Sequence, residues 1–452
     1  MNHHLKPIVA VVVFIALLQC ALTSAIVNNK IDRIIDLSSQ LVKVVERIHI
    51  EDKVGLYKII IEQSHRDRLA FIEASISGKA LKLIEKPDGS YEVDLTGHDA
   101  KPLVVTGIYT KLLQPYPSEI RQADRQLVRY QGSQVTLSPY LTKASTTKIK
   151  LPQGSRLESF SRANKMTTGT NKLTYGPFKD VQPMQSDVLI IHYENNSPFV
   201  AVTSLLRTVE LSPWSQAIKI VNEVKLAHVG AKLKGPFSRI DYQRDHSNGV
   251  SSVKVFGSEL PRSARDIYFR DGIGNISTSN VRHTNVGTFV AIRPRFPLFG
   301  GWVTEFNLGY KVPIKDFLNE PASGNNYRLS VPFADILYDN MYVEDALLKI
   351  ILPAGASGIE VVGATNFDRL PDEISYSYLD LFGRPVVVLR KSNIVAQHLD
   401  GKPLVLRFNY NKLYCCQEPL LLIGAVLATL ILTTFYSKLH SKSTPATKHK
   451  AE

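Results

Sequence analysis

Hydrophobic residues along most of this chain recur at every second position, the spacing of a half-buried β-strand rather than of a helix. Val42, Val44, Ile48 and Ile50 alternate with Lys43, Arg47 and His49, so an extended segment there has one apolar and one charged face. Residues 55–62 form another strand candidate, and 81–85 and 91–95 flank Pro87-Asp88-Gly89-Ser90, a turn by its chemistry and hence a hairpin. Similar segments recur at 103–109, 146–151, 188–193, 199–211, 218–226, 289–293, 302–310, 347–352, 385–390 and 403–410, with prolines and glycines between them. Residues 31–41 read equally as helix or strand. The expected fold is mainly β, with two β-sandwich-like domains at 26–235 and 236–417.

A faint repeat supports two domains of one plan. Lys148-Ile-Lys-Leu-Pro-Gln-Gly154 parallels Lys349-Ile-Ile-Leu-Pro-Ala-Gly355. Each is followed by a Tyr/Gly/Pro/Phe turn, TYGPF at 174–178 and YLDLFGRP at 378–385. An apolar strand comes next in each case, DVLIIHY and then KPLVLRFNY. Chance agreement between common strand-turn patterns would look the same.

Two apolar runs depart from this pattern. Lys6, the run Ile8 to Leu18 and the small residues Ala21, Ser24 and Ala25 together make a secretory signal peptide over 1–25. Leu420 to Tyr436 is 17 residues without a charge. As a helix it is about 26 Å long, close to the thin bilayer of the endoplasmic reticulum at about 27 Å. The expectation is a transmembrane helix at 418–436 and a cytoplasmic tail at 437–452 carrying Lys438, Lys442, Lys448 and Lys450. That topology is type I, with the bulk in the lumen. Lys448 and Lys450, third and fifth from the end, match a dilysine retrieval signal.

Charge and cysteine content exclude several classes. The formal net charge is +13, but the cations are scattered among strands, so nucleic acid is not an expected partner. Cys415 and Cys416 are the only cysteines after the signal, so the ectodomain has no disulfide framework and no cysteine-based metal site. The adjacent pair could form a strained vicinal disulfide or serve as small apolar residues at the membrane surface.

No zincin, serine-hydrolase, Walker or Rossmann pattern is present. His192 and Glu194, two apart on a strand, share a face, which suits a metal or a proton relay but equally a hydrogen-bonded surface pair. Asp271-Gly-Ile-Gly274 reads as a loop, and Glu344/Asp345 and Asp372/Glu373 as exposed charges. No cofactor or catalytic residue is expected. Arg293-Pro-Arg-Phe-Pro-Leu-Phe-Gly-Gly-Trp302 concentrates what interfaces favour, making Arg293, Arg295, Phe296, Phe299 and Trp302 a candidate contact surface, with a turn feeding aromatics into a core as the alternative. Of two Asn-x-Ser/Thr acceptors, Asn275 lies in a glycine-bounded loop and is the expected glycan site, while Pro198 disfavours Asn195.

Longer strings carry a family likeness. LQPYPSEI (113–120), SPY (138–140), YGPFKD (175–180), HYENNSPF (192–199), Trp214, KGPFSRIDYQR (234–244), RDGIGNIST (270–278), RPRFPLFGGW (293–302), YLDLFGRP (378–385) and QEPLL (417–421) span the mature chain in order. The chain thereby resembles the ribophorin I family, a non-catalytic subunit of oligosaccharyltransferase. The resemblance implies a complex that transfers a preassembled oligosaccharide from dolichyl diphosphate to Asn-x-Ser/Thr, with the chemistry in another, polytopic subunit. It implies catalytic and accessory subunits, nascent polypeptide acceptors and membrane lipid as partners, a scaffolding and acceptor-positioning role, and a glycan at Asn275. Many animal members carry a long cytoplasmic region; the short tail here is closer to the fungal pattern and argues against direct ribosome contact. A membrane-anchored chaperone or cargo receptor is the competing class, and a luminal hydrolase or transferase a third.

Overall fold

The computed structural model describes residues 26–441 apart from 52–53, 99–101, 245–248, 277–279, 320–323, 363–366, 378–382 and 400–402. The signal segment and the tail lysines Lys448 and Lys450 lie outside the described residues. The chain is mainly β, with one long helix, Gln417–Ser441, at its end. Of residues 31–41, 31–36 belong to the strand Val27–Asp36, whose Ile31 and Ile35 are buried, and 37–41 form the bend that leads to Val42–Ile50.

Two compact units divide the chain, and neither is continuous in sequence. The first comprises 1–200, 228–253 and 298–302; the second 201–227, 254–297 and 303–452. The expected boundary after residue 235 therefore lies inside the second segment of the first unit.

In the first unit an eight-stranded sheet runs in the order Met166–Gly169, Lys172–Val181, Leu141–Lys150, Val27–Asp36, Val42–Ile50, Leu103–Tyr109, Leu69–Ile76, Lys79–Leu81. Its central pair, Val27–Asp36 with Leu141–Lys150, is parallel; the other neighbours are antiparallel. A four-stranded sheet, Leu157–Phe160, Val188–Glu194, Leu127–Ser133, Gln114–Pro115, shares its core: Ile31, Ile35 and Val44 belong to the same cluster as Val128, Tyr130, Ile191 and Tyr193. The expected Pro87–Ser90 hairpin forms a third, three-stranded sheet with Leu56–Ile59, and Asp88 accepts from the Ser90 amide and hydroxyl to fix the turn.

The second unit repeats this plan. Its large sheet runs Arg265–Asp271, Val303–Pro313, Ala217–His228, Val200–Ser212, Tyr342–Ile351, Arg384–Val395, with Asp368–Arg369 and Glu373–Ser375 on the edge. Here too a hairpin strand, Val200–Ser212, pairs in parallel with a strand from far downstream, Tyr342–Ile351. The sequence repeat marks equivalent positions. Both KIxLPxG strings end the parallel strand in the same turn, with Gly154 at φ 71° and Gly355 at φ 79°, and with the next amide donating to the proline carbonyl at 3.2 Å.

The register carries the equivalence further. Arg33 sits opposite Thr147, the residue before Lys148; Arg207 sits opposite Leu348, the residue before Lys349. Each unit thus buries an arginine at the same place in its central strand, 8% and 1% exposed. A buried guanidinium must be paired and hydrogen-bonded. Arg33 donates to the carbonyls of Ser133 (3.1 Å) and Val135 (3.3 Å) and lies 3.3 Å from Glu46 on the adjacent strand. Burial pushes the Glu46 carboxyl up, with Arg33 opposing. Arg207 instead has Asn222 (2.9 Å) beside it on the adjacent strand and forms its ion pair with Asp335, from the loop after Asn326–Val331. Burial works against the Arg207 charge, but Asp335 outweighs it and holds the group above its ordinary value.

One substitution separates the two centres. Two residues before Asn222, Ile220 faces Tyr310, whose hydroxyl donates to Asp335 at 2.8 Å. Two residues before Glu46, Val44 faces Gly107, and a cavity of about 30 Å³ bordered by Arg33, Glu46 and Gly107 remains. That is room for about one water.

Replacing Arg207 by Ala leaves Asp335 buried without its cation and is expected to cost about 3–5 kcal/mol in thermal or denaturant unfolding of the detergent-solubilised chain. The double replacement Arg207→Met with Asp335→Leu should recover most of that loss, since no orphaned charge remains.

Candidate functional site

The His192–Glu194 pair sits at the end of Val188–Glu194, whose alternation sends Ile191 and Tyr193 into the core. His192 Nε2 donates to the Tyr116 carbonyl at 2.8 Å, and its ring meets the Tyr116 ring edge-on at 5.5 Å. Glu194 accepts from Arg125 (2.8 Å) and Asn196 (2.6 Å). Each side chain is thus occupied by its own neighbours. Among the described residues, no three His, Cys, Asp or Glu side chains are arranged to hold a metal. Asp345 pairs with Arg390, Asp372 with Arg369 and Glu373 with Lys349, all at the surface. Cys415 and Cys416 are not joined in a disulfide.

The Arg/aromatic segment divides between the two units at Pro297. In the first unit, Phe299 and Trp302 pack with Phe237 and Tyr242, ring centroids 5.4–6.0 Å apart. Backbone geometry enforces this. Leu298 and Val253 exchange two hydrogen bonds of 2.9 Å, Gly301 donates to His228, and a Cβ at Gly300 would lie 1.8 Å from the Ala231 carbonyl oxygen. His228 is buried there, accepting from the Gly230 amide at Nδ1 and donating from Nε2 to the Ser251 carbonyl, and burial holds its pKa below the usual imidazole range. Phe299 is buried and Trp302 half-buried.

In the second unit, Arg293, Arg295 and Phe296 are exposed. Arg295 is not free to meet a partner. It grips Asp271 with two guanidinium nitrogens and donates to the Gly274 carbonyl at 3.3 Å. Asp271 in turn accepts from the amides of Ile273 and Gly274, both at 3.0 Å. The clamped loop presents Asn275, which is exposed and bridges to Arg270; Ser277 of its acceptor triplet lies outside the described residues. Asn195 is the opposite case: it is 1% exposed, donates to the Leu37 carbonyl (3.4 Å) and accepts from the Ser197 amide and hydroxyl.

Sequence reading missed the two buried arginines and the clamp. Arg33 and Arg207 stand within alternating strands where a charge normally marks the solvent face, and only the repeat, aligned on KIxLPxG, could have paired them.

A family model described as Ribophorin I matches residues 26–437. The chain is 36% identical to dolichyl-diphosphooligosaccharide–protein glycosyltransferase subunit 1B of Oryza sativa subsp. japonica, over 89% of each chain. It is 37% identical to subunit 1 of Caenorhabditis elegans, over 90% of this chain and 71% of that one, and 35% identical to subunit 1B of Arabidopsis thaliana, over 95% and 96%. Among solved structures, an M1 zinc metallopeptidase from Deinococcus radiodurans overlaps 46% of this chain and 42% of its own at TM-score 0.27 and 8% identity, too slight a likeness to bear on fold or chemistry.

The hydrogen bond from Arg295 holds the Asp271 carboxyl down at about 2, below its ordinary 3.8. A depressed carboxylate contributes above its unfolded pKa and loses that contribution as pH falls through the folded one. Protection of the Ile273 and Gly274 amides should therefore persist at pH 5 and fade between about 4 and 2. Arg295→Gln should raise their exchange at neutral pH, read by hydrogen-exchange mass spectrometry.

Proposed function

The chain belongs to the ribophorin I family, and from that premise we propose that it is a non-catalytic subunit of an oligosaccharyltransferase in the endoplasmic reticulum membrane. The reaction served is transfer of a preassembled oligosaccharide from dolichyl diphosphate to asparagine in Asn-x-Ser/Thr. The observation that carries this reading is the reach of the similarity: relatives named as subunit 1 align over about nine-tenths of the chain, not over one shared domain.

Its part is to hold, not to react. The titratable groups that sequence pointed to are spent on local bonds: His192 on Tyr116, Glu194 on Arg125, Asp271 on Arg295. The two β units act as sandwich-like luminal bodies with rigid surfaces. The final helix anchors them: the segment 412–440 contains an 18-residue window of mean hydropathy 2.1 that buries nothing against protein. Such a segment suits lipid, and its polar surroundings suit a lumen-first orientation. Asn275 carries the glycan, Arg293 and Phe296 are available to a neighbouring subunit, and Lys448 and Lys450 return the protein to the endoplasmic reticulum.

Purification in mild detergent is expected to bring down a polytopic transferase with the chain, and depletion should leave glycoproteins under-glycosylated. Recovery as a lone monomer from intact membranes, crosslinked to unfolded clients without transferase subunits, would favour a chaperone instead. His192→Ala with Glu194→Ala should leave glycosylation intact; loss of activity in an assembled complex would point to catalysis in this chain. Asn275→Gln should remove one glycan, seen as the gel shift that endoglycosidase produces on the unaltered protein, while Asn195→Gln should not.

A further inference from the structure

In the second unit, the final helix leaves from a small aromatic platform built by three segments. These are the turn 211–216 after Val200–Ser212, the turn 352–356 after Tyr342–Ile351, and 413–417, which leads into Gln417–Ser441. Trp214, Pro353, Ala354, Tyr414 and Gln417 border one cavity of about 40 Å³ there. The first two turns lie side by side because the strands they follow are paired in parallel. Arg384 ties them together: its guanidinium donates to the Leu211 carbonyl and to the Leu352 carbonyl (3.0 Å) and pairs with Glu210 at 2.7 Å. The third segment is laid on the second. A Cβ at Gly355 would lie 2.6 Å from the Tyr414 ring, so that ring rests where only glycine leaves room.

Trp214 stands at the tip of a turn that is itself held. The Gln216 backbone and side-chain amides donate to the Pro213 carbonyl at 3.4 and 2.7 Å, and the Gln216 carbonyl accepts from Ile314 at 3.1 Å. Its indole is nevertheless 65% exposed, and Leu413 and Tyr414 are exposed as well. The segments 211–216, 352–356 and 413–417 contain no charged residue, in a chain of which 21% is charged. Of the side chains bordering the cavity only Arg384 carries a charge, and it is turned to the strand ends.

Distance brings lipid to this platform. The turn Lys412–Cys416 continues into Gln417–Ser441 without a linker. Along a helix axis, Gln417 lies about 4.5 Å and Tyr414 about 9 Å before Leu420, where the uncharged run begins. The polar layer on each side of the hydrocarbon is about 5–8 Å deep. Gln417 and its neighbour across the cavity, Trp214, therefore fall at the depth of the headgroups. Tryptophan is enriched at that depth, its ring suiting the hydrocarbon edge and its N–H the wet side. Resting on the reading of the final helix as a membrane span, we propose that this face of the second unit lies on the luminal surface of the same bilayer, with the Trp214 indole among the headgroups. The unit then stands on the membrane at two points, helix and turn. The partner is lipid because the chain's own span carries lipid to this face in every copy.

Fluorescence of the full chain in phosphatidylcholine nanodiscs, which expose both membrane faces to solvent, tests this. The chain has two tryptophans, so Trp302→Phe leaves Trp214 as the sole emitter. Lipid brominated near the headgroup should quench most of that emission, and lipid brominated at the chain ends much less. If Trp302→Phe misfolds, the difference between the parent chain and Trp214→Phe reads the same emission; the exposed Trp214 fills no core, so its replacement keeps the fold. Alkaline extraction from vesicles reads the anchor separately. Release of the chain overturns the membrane span, and this proposal with it. Retention of the chain without quenching by brominated lipid overturns the proposal alone, and iodide then tells whether water or a protein neighbour covers Trp214 instead.

Discussion

A charge at the centre of a β core is the constraint around which each unit is organised. Arg207 lies in the middle strand of its sheet at 1% exposure, and Asp335 must arrive from a separate loop to meet it. A slip of one residue in the register would send Arg207 to the opposite face and leave Asp335 buried alone. The pair adds little over an apolar pair of the same volume, but it penalises wrong registers severely. Asn222 and Tyr310 complete the set, tying three neighbouring strands and one loop to a single geometry.

The first unit solves the same problem with different parts. Arg33 occupies the equivalent position, but its carboxylate, Glu46, comes from the adjacent strand, and the loop that elsewhere brings Asp335 here offers only the carbonyls of Ser133 and Val135. Where one unit fills the space with Tyr310, the other has Gly107 and a cavity of about 30 Å³. The two halves therefore share a backbone plan and a buried cation while their surroundings have diverged. Parallel pairing of strands far apart in sequence, 27–36 with 141–150 and 200–212 with 342–351, is the signature of that plan.

Local pairing also shapes the surface loops. The Asp271–Arg295 clamp ties down the loop that exposes Asn275, while Phe299 from the same stretch of sequence is buried. Membership of the ribophorin I family places these surfaces on a chain similar throughout to oligosaccharyltransferase subunit 1 proteins.

The sequence by itself determined the strands, because period-two alternation has one meaning wherever one face is buried; segments such as 103–109 and 218–226 lie on strands at or close to the bounds read for them. It also determined the apolar C-terminal helix, since a long uncharged run has few alternatives, and the two KIxLPxG strings that close parallel strands in the same turn. Sequence could not decide where the chain crosses between units, because segments 201–227, 228–253 and 298–302 are sorted by contacts that alternation does not encode. Nor could it tell Phe296 from Phe299, three residues apart, or bring Asp335 to Arg207. Those depend on loops and register, where the partner of each side chain comes from dozens to more than a hundred residues away, and only the folded backbone brings it there.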